Sequence, residues 1–178
     1  CGVSMRVLII SDIHANLTAL EAVLARAERY DAVWCLGDLV GYGPDPNECI
    51  ERVFSLPNLQ CIIGNHDLAA LDQLNSESFN PEAKTAIHWT QKTITERSRL
   101  VLQSLPEKIV LRDVTLSHGS PRHPIWEYLL DAHTATQNFD HFQTSLCFVG
   151  HSHLPVFFSM NNNNNFAELQ IPAPDTTI

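Results

Sequence analysis

Five short apolar runs punctuate the chain: Arg6 to Ile10, Ala32 to Leu36, Gln60 to Ile63, Val114 to Ser117 and Leu146 to Val149. Each is rich in Val, Ile, Leu or Phe and is closed at once by Gly, Asp, Asn or His, the pattern of a buried strand that runs straight into a turn. Between the first two runs, Leu17, Leu20, Val23, Leu24 and Ala27 recur at helical spacing behind Asn16, which is placed to cap the helix. This predicts a strand-loop-helix unit from Arg6 to about Arg29. A second helix is expected from Pro46 to Ser55, after the Gly41-Tyr42-Gly43-Pro44 turn, and two more from Pro81 to Ser104. Lys108 to Leu111 and Val114 to Ser117, joined by Arg112-Asp113, read as a hairpin. Crossover helices together with a hairpin predict an α/β fold.

The residues that close the runs are the chemically informative ones. They are Asp12-Ile13-His14, Gly37-Asp38, Gly64-Asn65-His66-Asp67, Ser117-His118-Gly119 and Gly150-His151-Ser152-His153. Polar residues at the carboxyl ends of neighbouring strands collect on one edge of a sheet, where open α/β folds bind ligands. One His or Asp after a strand is usually a turn residue or a helix cap, but five such loops in one chain point to a shared site. The edge gathers Asp12, His14, Asp38, Asn65, His118, His151 and His153, a set of imidazole and oxygen donors suited to divalent Mn, Fe, Ni, Co or Zn, and large enough for two ions. His88, His133 and His141 lie in segments that read as helical, without a partner at ligand spacing, and are expected on the surface.

Composition narrows the function. A chain of 178 residues with 44% hydrophobic content suffices for one core, so a single domain over 1–178 is the default. No apolar run approaches the ~20 residues that span a bilayer, and no basic segment leads into a secretory core; the expectation is a cytoplasmic protein without a membrane partner. Five cysteines, an odd number with no C-x-x-C spacing, argue against a disulfide framework or a thiolate zinc knot, and read as core thiols with Cys1 exposed. A formal charge of −9 without a basic stripe argues against binding along nucleic acid. A small phosphoester stays compatible, because bound dications reverse the local field around Asp12 and Asp38. Nothing in the sequence speaks to oligomeric state.

The ordered set Asp-x-His, Gly-Asp-x-x-Gly, Gly-Asn-His-Asp, Ser-His-Gly and Gly-His-x-His resembles the calcineurin-like metallophosphoesterase superfamily. Ser117-His118-Gly119-Ser120-Pro121-Arg122, followed by Pro124-Ile125-Trp126-Glu127-Tyr128-Leu129, resembles its small bacterial phosphodiesterase-like branch. The resemblance runs from about Met5 to about Ser159 and implies two packed mixed β-sheets flanked by helices. Proteins of this kind usually continue past Gly-His-x-His to an Asn-Pro-Gly-Ser turn, which this sequence lacks; the C-terminal part is expected to be shortened or incompletely represented. Asn161 to Asn165 and Pro172-Ala173-Pro174 read as an irregular tail over 160–178, and Cys1 to Ser4, ahead of Met5, as an appended remnant.

Carried over motif by motif, the resemblance implies that Asp12, His14 and His153 hold one metal, Asn65, His118 and His151 the other, and that Asp38 bridges them. Two such ions can share a hydroxide aimed in line at phosphorus, so that a small phosphodiester or nucleotide is hydrolysed without a protein nucleophile. Manganese is the favoured ion. His66 resembles the family's residue for the leaving group, with Asp67 orienting it and favouring its protonated form; Asp67 could equally cap a helix. Arg122 has two readings, a clamp on a phosphoryl oxygen or a partner for Glu127, and His123 is a weaker substrate candidate. The purple-acid-phosphatase branch is disfavoured, because its tyrosine three residues after the bridging aspartate corresponds here to Gly41, with Tyr42 one position off. A catalytically silent scaffold of the same fold is the alternative, but it has no physical need for an unliganded histidine beside the metals.

Overall fold

The computed structural model describes residues 5–161, 163 and 165–173. The first strand, β1 (Val7–Ile10), leads through the 11–16 loop into α1 (Leu17–Arg26), whose N-cap Asn16 accepts from the Ala19 N–H at 3.0 Å. Then come β2 (Ala32–Cys35), α2 (Pro46–Phe54), β3 (Gln60–Cys61), α3 (Asn65–Ala70), α4 (Pro81–Thr93) and α5 (Glu96–Gln103). The second half contains β4 (Lys108–Val110), β5 (Val114–Ser117), α6 (Ala132–Asn138), β6 (Leu146–Val149), β7 (Phe157–Asn161) and β8 (Phe166–Gln170).

Strands β1, β2 and β3 form a wholly parallel sheet in that order. A second sheet has the order β4-β5-β6, with β4 antiparallel and β6 parallel to β5. The two sheets pack face to face. Alternation along β2 explains how: Trp34, with Leu36 just beyond it, points to a core shared with Ile62, Val114 and Leu116, whereas Val33 and Cys35 point to one shared with Leu20, Leu24, Ile50, Val53 and Leu102 of the helices. A strand covered on both faces reads as a continuous apolar run, and β2 is buried throughout.

Three expectations change. One packed sheet is parallel rather than mixed, because α1 and the 36–59 segment each carry the chain back to the same edge. Val23 is 49% exposed, outside the buried Leu20–Leu24 stripe of α1. The tail is not irregular where it forms strands: β7 and β8 pair antiparallel across the asparagine run, from Phe157 opposite Gln170 to Asn161 opposite Phe166, and only 171–173 beyond them carry no regular element. The buried Ala167 anchors that hairpin to α6 through its N–H, which donates to Thr136 Oγ1 at 2.8 Å. Asn163 and Asn165 stand in the turn between these strands, for which a polar run with nothing to bury is well suited. Cys1 and Pro174 lie outside the described residues. Cys35, Cys49 and Cys61 are buried and unpaired, as core thiols should be, and burial pushes the Cys49 thiol up to about 12. His88, His133 and His141 are exposed, as expected.

Candidate metal centre and active site

The ligand-bearing loops are held by one another. Asp12, His14 and Ala15 donate their N–H groups to the carbonyls of Gly37, Asp38 and Leu39 at 3.1, 2.9 and 2.9 Å, so the loops after β1 and β2 are zipped together beyond the sheet. Glycines permit that closeness. A Cβ on Gly64 would stand 2.1 Å from Asp38 Oδ1, and one on Gly150 2.1 Å from Ser11 Oγ. Five of the seven expected ligands, Asp12, His14, Asp38, His151 and His153, have φ between 49° and 65°. Left-handed backbone costs such residues ~1–3 kcal/mol each, and clustering of this kind marks functional sites.

Side chains converge in two groups. In the first, His14 Nδ1 donates to the Val40 carbonyl at 3.3 Å, which leaves its Nε2 as a lone pair. That lone pair faces His153 Nε2 at 3.1 Å, while His153 Nε2 lies 3.3 Å from Asp12 Oδ1. In the second, His118 Nδ1 donates to the Leu36 carbonyl at 2.8 Å, and its Nε2 stands 2.9 Å from Asn65 Oδ1 and 3.3 Å from Asp38 Oδ2. His151 Nε2 is buried there without a hydrogen-bond partner. Between the groups sits Asp38 Oδ2, 3.8 Å from His14 Nε2 on the other side. Donor atoms of Asp12, His14 and His153, and likewise of Asp38, His118 and His151, lie within 4.8 Å of one another.

Electron-rich atoms gathered so closely repel unless a positive charge lies among them. Burial by itself would raise the Asp38 carboxyl and lower His118. Their mutual attraction wins on both sides, holding Asp38 well below the usual carboxylate range and His118 up at about 9. A proton thus does at His118 what a cation would do better. At His151 burial and the repulsion of His118 outweigh the attraction of Asp38 and Asp12 and push the imidazole down to about 4, leaving a neutral ring with an orphaned nitrogen. An orphaned buried lone pair beside a carboxylate and a second imidazole suits a divalent transition metal. The residues fit metal binding at two places, Asp12, His14 and His153 at one and Asp38, His118 and His151 at the other, with Asn65 beside His118.

His66 is oriented from its backbone and its neighbours rather than by Asp67. Its N–H donates to Asp38 Oδ1 at 2.9 Å, and its ring is boxed by His14 and Phe79 edge-on and by Tyr42 at a tilt, with centroids at 4.7, 4.9 and 4.9 Å. Its buried Nδ1 has no partner, and burial brings the imidazole down to about 4. Asp67 corrects an expectation. Its oxygens accept from the Gly64 and Val40 N–H groups, each at 3.0 Å, so it ties the start of α3 to the loop after Asp38. The carboxylate sits at the third position of α3, not at its N-cap, which is Gly64. Burial and the nearby Asp38 raise it to about 7, and both its oxygens are engaged by backbone N–H groups rather than by the His66 ring.

Arg122 resolves its two readings toward Glu127. Its Nε donates to Glu127 Oε2 at 3.3 Å, its Nη2 to Oε1, and its Nη1 to Gln137 Oε1 at 2.8 Å. Glu127 also accepts from Ser120 Oγ at 2.7 Å and Asn138 Nδ2 at 2.8 Å. Burial would raise the Glu127 carboxyl, but Arg122, Asn138 and Ser120 together bring it down to about 2. This network braces the loop after His118 against the segment carrying Trp126 and Tyr128. His123 is exposed.

Aromatic residues are what a reading of the ligand loops overlooked. Tyr128 stacks on His151 at 3.8 Å and 21°, and Trp126 meets Phe79 at 4.9 Å. Asp38, His66 and His151 floor a cavity of about 210 Å³, and Tyr42 and Tyr128 stand in its wall. A larger cleft of about 610 Å³ between β1 and α1, lined by Ile9, Ile13, Leu20 and Val23, shares Tyr42 and His153 with it. The sequence signal was the Trp126-Glu127-Tyr128 cluster beyond the His118 loop.

Gly41 provides a test of this packing. At φ 92°, a Cβ there would stand 2.5 Å from His66 Nδ1. Gly41→Ala should therefore displace His66 and lower turnover at least tenfold, with any loss of metal limited to what a shift of Asp38, three residues away on the same loop, would cause. Elemental analysis beside kinetics checks it, and unchanged turnover would show that the ring tolerates the methyl group.

Strands ending in Asp, His and Asn donors, arranged as two facing groups about one buried carboxylate, make a candidate metal centre. The chain belongs to the calcineurin-like phosphoesterase superfamily, whose domain matches residues 5–166. It is 41% identical over 169 residues to an uncharacterized protein of Methanocaldococcus jannaschii, covering 90% of this chain and 68% of that protein. The crystal structure of a metallophosphoesterase from Sphaerobacter thermophilus superposes with a TM-score of 0.84 at 48% identity, over 96% of this chain and 70% of the other. The symmetrical bis(5'-nucleosyl)-tetraphosphatase of Pectobacterium atrosepticum is 32% identical over 104 residues, 49% of this chain and 37% of that enzyme. The chain thus spans about two thirds of the first two and little more than a third of the last. Among the described residues no helix is long and apolar enough to cross a membrane.

Proposed function

We propose that the chain hydrolyses a small phosphodiester or nucleotide at a dinuclear site formed by Asp12, His14, His153, Asp38, Asn65, His118 and His151. The observation that carries this reading is the convergence of both ligand groups on Asp38 Oδ2, with the buried His151 Nε2 left unpartnered beside it. Two divalent ions bound there would acidify a water and draw charge from the phosphoryl oxygens. Asp38 reduces the repulsion between them. The imidazoles of His14 and His118 are kept in the ligating tautomer by the Val40 and Leu36 carbonyls, which take up the opposite N–H.

His66 faces the same cavity without sitting in either ligand group as assigned. Its neutral ring carries one N–H, and hydrogen-bonding that proton to the departing oxygen would stabilise charge as the ester bond breaks. Asp67 secures the loop on which His66 stands, and Arg122 acts through Glu127 on the far wall. Nucleotides are the favoured substrates because the tetraphosphatase relative acts on a nucleoside polyphosphate, as its name states. The net charge of −9 and the lack of a basic stripe oppose long nucleic acid. A cytoplasmic location belongs to the same proposal.

Stripping the protein with a chelator should abolish hydrolysis of nucleotides and aryl phosphoesters, and Mn should restore it better than Mg, since imidazole-rich sites prefer transition metals. Activity that persists in excess chelator would overturn the dinuclear reading. Efficient cleavage of polymeric DNA or RNA, weakening steeply with salt, would overturn the substrate class.

A further inference from the structure

The two tyrosines of the cavity wall are unexplained by metal binding or by the core. Tyr42 is 45% and Tyr128 48% exposed, although each packs one side against a histidine of the site. Tyr42 meets His14 edge-on at 5.0 Å and His66 at a tilt at 4.9 Å, and Tyr128 stacks on His151. They therefore stand over opposite ligand groups. Tyr42 is also held there at a cost, since its φ is 57°, a conformation that a bulky side chain adopts only when its surroundings impose it. Asn80, the N-cap of α4, donates its Nδ2–H to the Tyr42 hydroxyl at 3.2 Å. On the other side, Glu127 ties the segment that carries Tyr128 to Arg122, Ser120 and Asn138. Two half-exposed rings, each fixed by its own support, border a cavity of about 210 Å³. That is less than the ~300–1,000 Å³ of pockets that enclose a small ligand. The cavity can take the phosphoryl end of a substrate, and the group it carries then extends past the rim at Tyr42 and Tyr128, where the larger cleft also opens beside Tyr42.

We propose that Tyr42 and Tyr128 are the specificity-determining residues of the site, offering their open ring faces to the planar base of a nucleotide whose phosphoryl group sits above Asp38. The inference rests on the phosphoesterase reading and names the substituent which that reading leaves open. A π-face on the rim favours any flat ring and discriminates little among bases, because stacking does not depend on a hydrogen-bond pattern. An alkyl ester with the same phosphate gains nothing from it.

The test compares adenosine monophosphate with ribose 5-phosphate, which share the sugar and the phosphomonoester head and differ in the base, as competitors of aryl phosphoester hydrolysis by the Mn-loaded protein, or by calorimetric titration should no hydrolysis occur. The intact protein should bind the nucleotide about tenfold more tightly than ribose 5-phosphate, within the range that base stacking on an aromatic side chain supplies. Tyr42→Ala and Tyr128→Ala should each shrink that ratio several-fold, while Tyr128→Phe keeps it and Tyr42→Phe, which loses the Asn80 bond but not the packing on His14 and His66, keeps most of it, since the ring face and not the hydroxyl makes the contact. A melting curve for each variant separates loss of the ring from loss of the fold; should an alanine variant unfold, the leucine variant takes its place. Equal affinity for the two ligands, or a ratio unchanged in the alanine or leucine variants, overturns the proposal. Hydrolysis of phosphoesters without a nucleotide preference would sink this inference alone, whereas a nucleotide preference without any hydrolysis would sink the phosphoesterase reading and leave the rim assignment standing.

Discussion

Replacing His66 by asparagine should lower kcat by ~10²–10⁴, the usual worth of a positioned proton donor, and leave metal content close to that of the parent. The histidine lies against both ligand groups: its ring centroid is 4.7 Å from that of His14, and its own donor atom falls within 4.8 Å of those of His14 and Asp38. Ligand and leaving-group roles therefore make different predictions. In the leaving-group role the interaction strengthens only as the departing oxygen gains charge, so the loss appears in kcat and shrinks for good leaving groups such as nitrophenolate. A variant that loses one metal would make His66 a ligand. A variant with full turnover on alkyl or nucleoside esters would remove it from the chemistry and return weight to a silent scaffold of the same fold. Asparagine keeps the backbone N–H that donates to Asp38 Oδ1, so the Asp38 carboxylate remains supported.

Asp38→Asn should cost the protein at least one metal per chain and, with it, nearly all turnover. Asp38 is 1% exposed, and its Oδ2 lies within 4 Å of an imidazole from each ligand group. Removing one negative charge from such a place withdraws the shield between two dications and the partner that holds His118 at about 9. The amide retains the shape, so the contact with the His66 N–H can persist and the fold should survive. Metal analysis by plasma emission decides the matter; unchanged stoichiometry would mean that Asp38 does not bridge. The effect should exceed that of His66→Asn, because one variant removes the organising charge and the other a proton donor beside it.

Much of this architecture was already written in periodicity. β5 and β6 match the apolar runs residue for residue, and the helices of the 81–104 insert are capped where Asn80 and Thr95 stand before them, each accepting from an N–H three residues on. The seven side chains do come together, but from two sheets: β1, β2 and β3 deliver Asp12, His14, Asp38 and Asn65, and β5 and β6 of the sheet packed on them deliver His118, His151 and His153 to the same place. The hairpin of β7 and β8 was not legible: its polar turn looks the same in sequence as an unstructured tail, and only α6 against β8 distinguishes them.

What the sequence determined alone, then, is which polar residues close the strands, because that follows from local pattern and chain direction; that two sheets pack so as to bring those ends together was decided by the tertiary structure. The tertiary structure alone also decided where charged and aromatic side chains turn once they arrive. Asp67 serves Gly64 and Val40 instead of His66, Arg122 serves Glu127 instead of substrate, and Tyr42 and Tyr128 reach the site from loops 86 positions apart in number. Each of those choices depends on distances between segments remote in the chain, and a difference of a few ångströms between two possible partners leaves no trace in spacing.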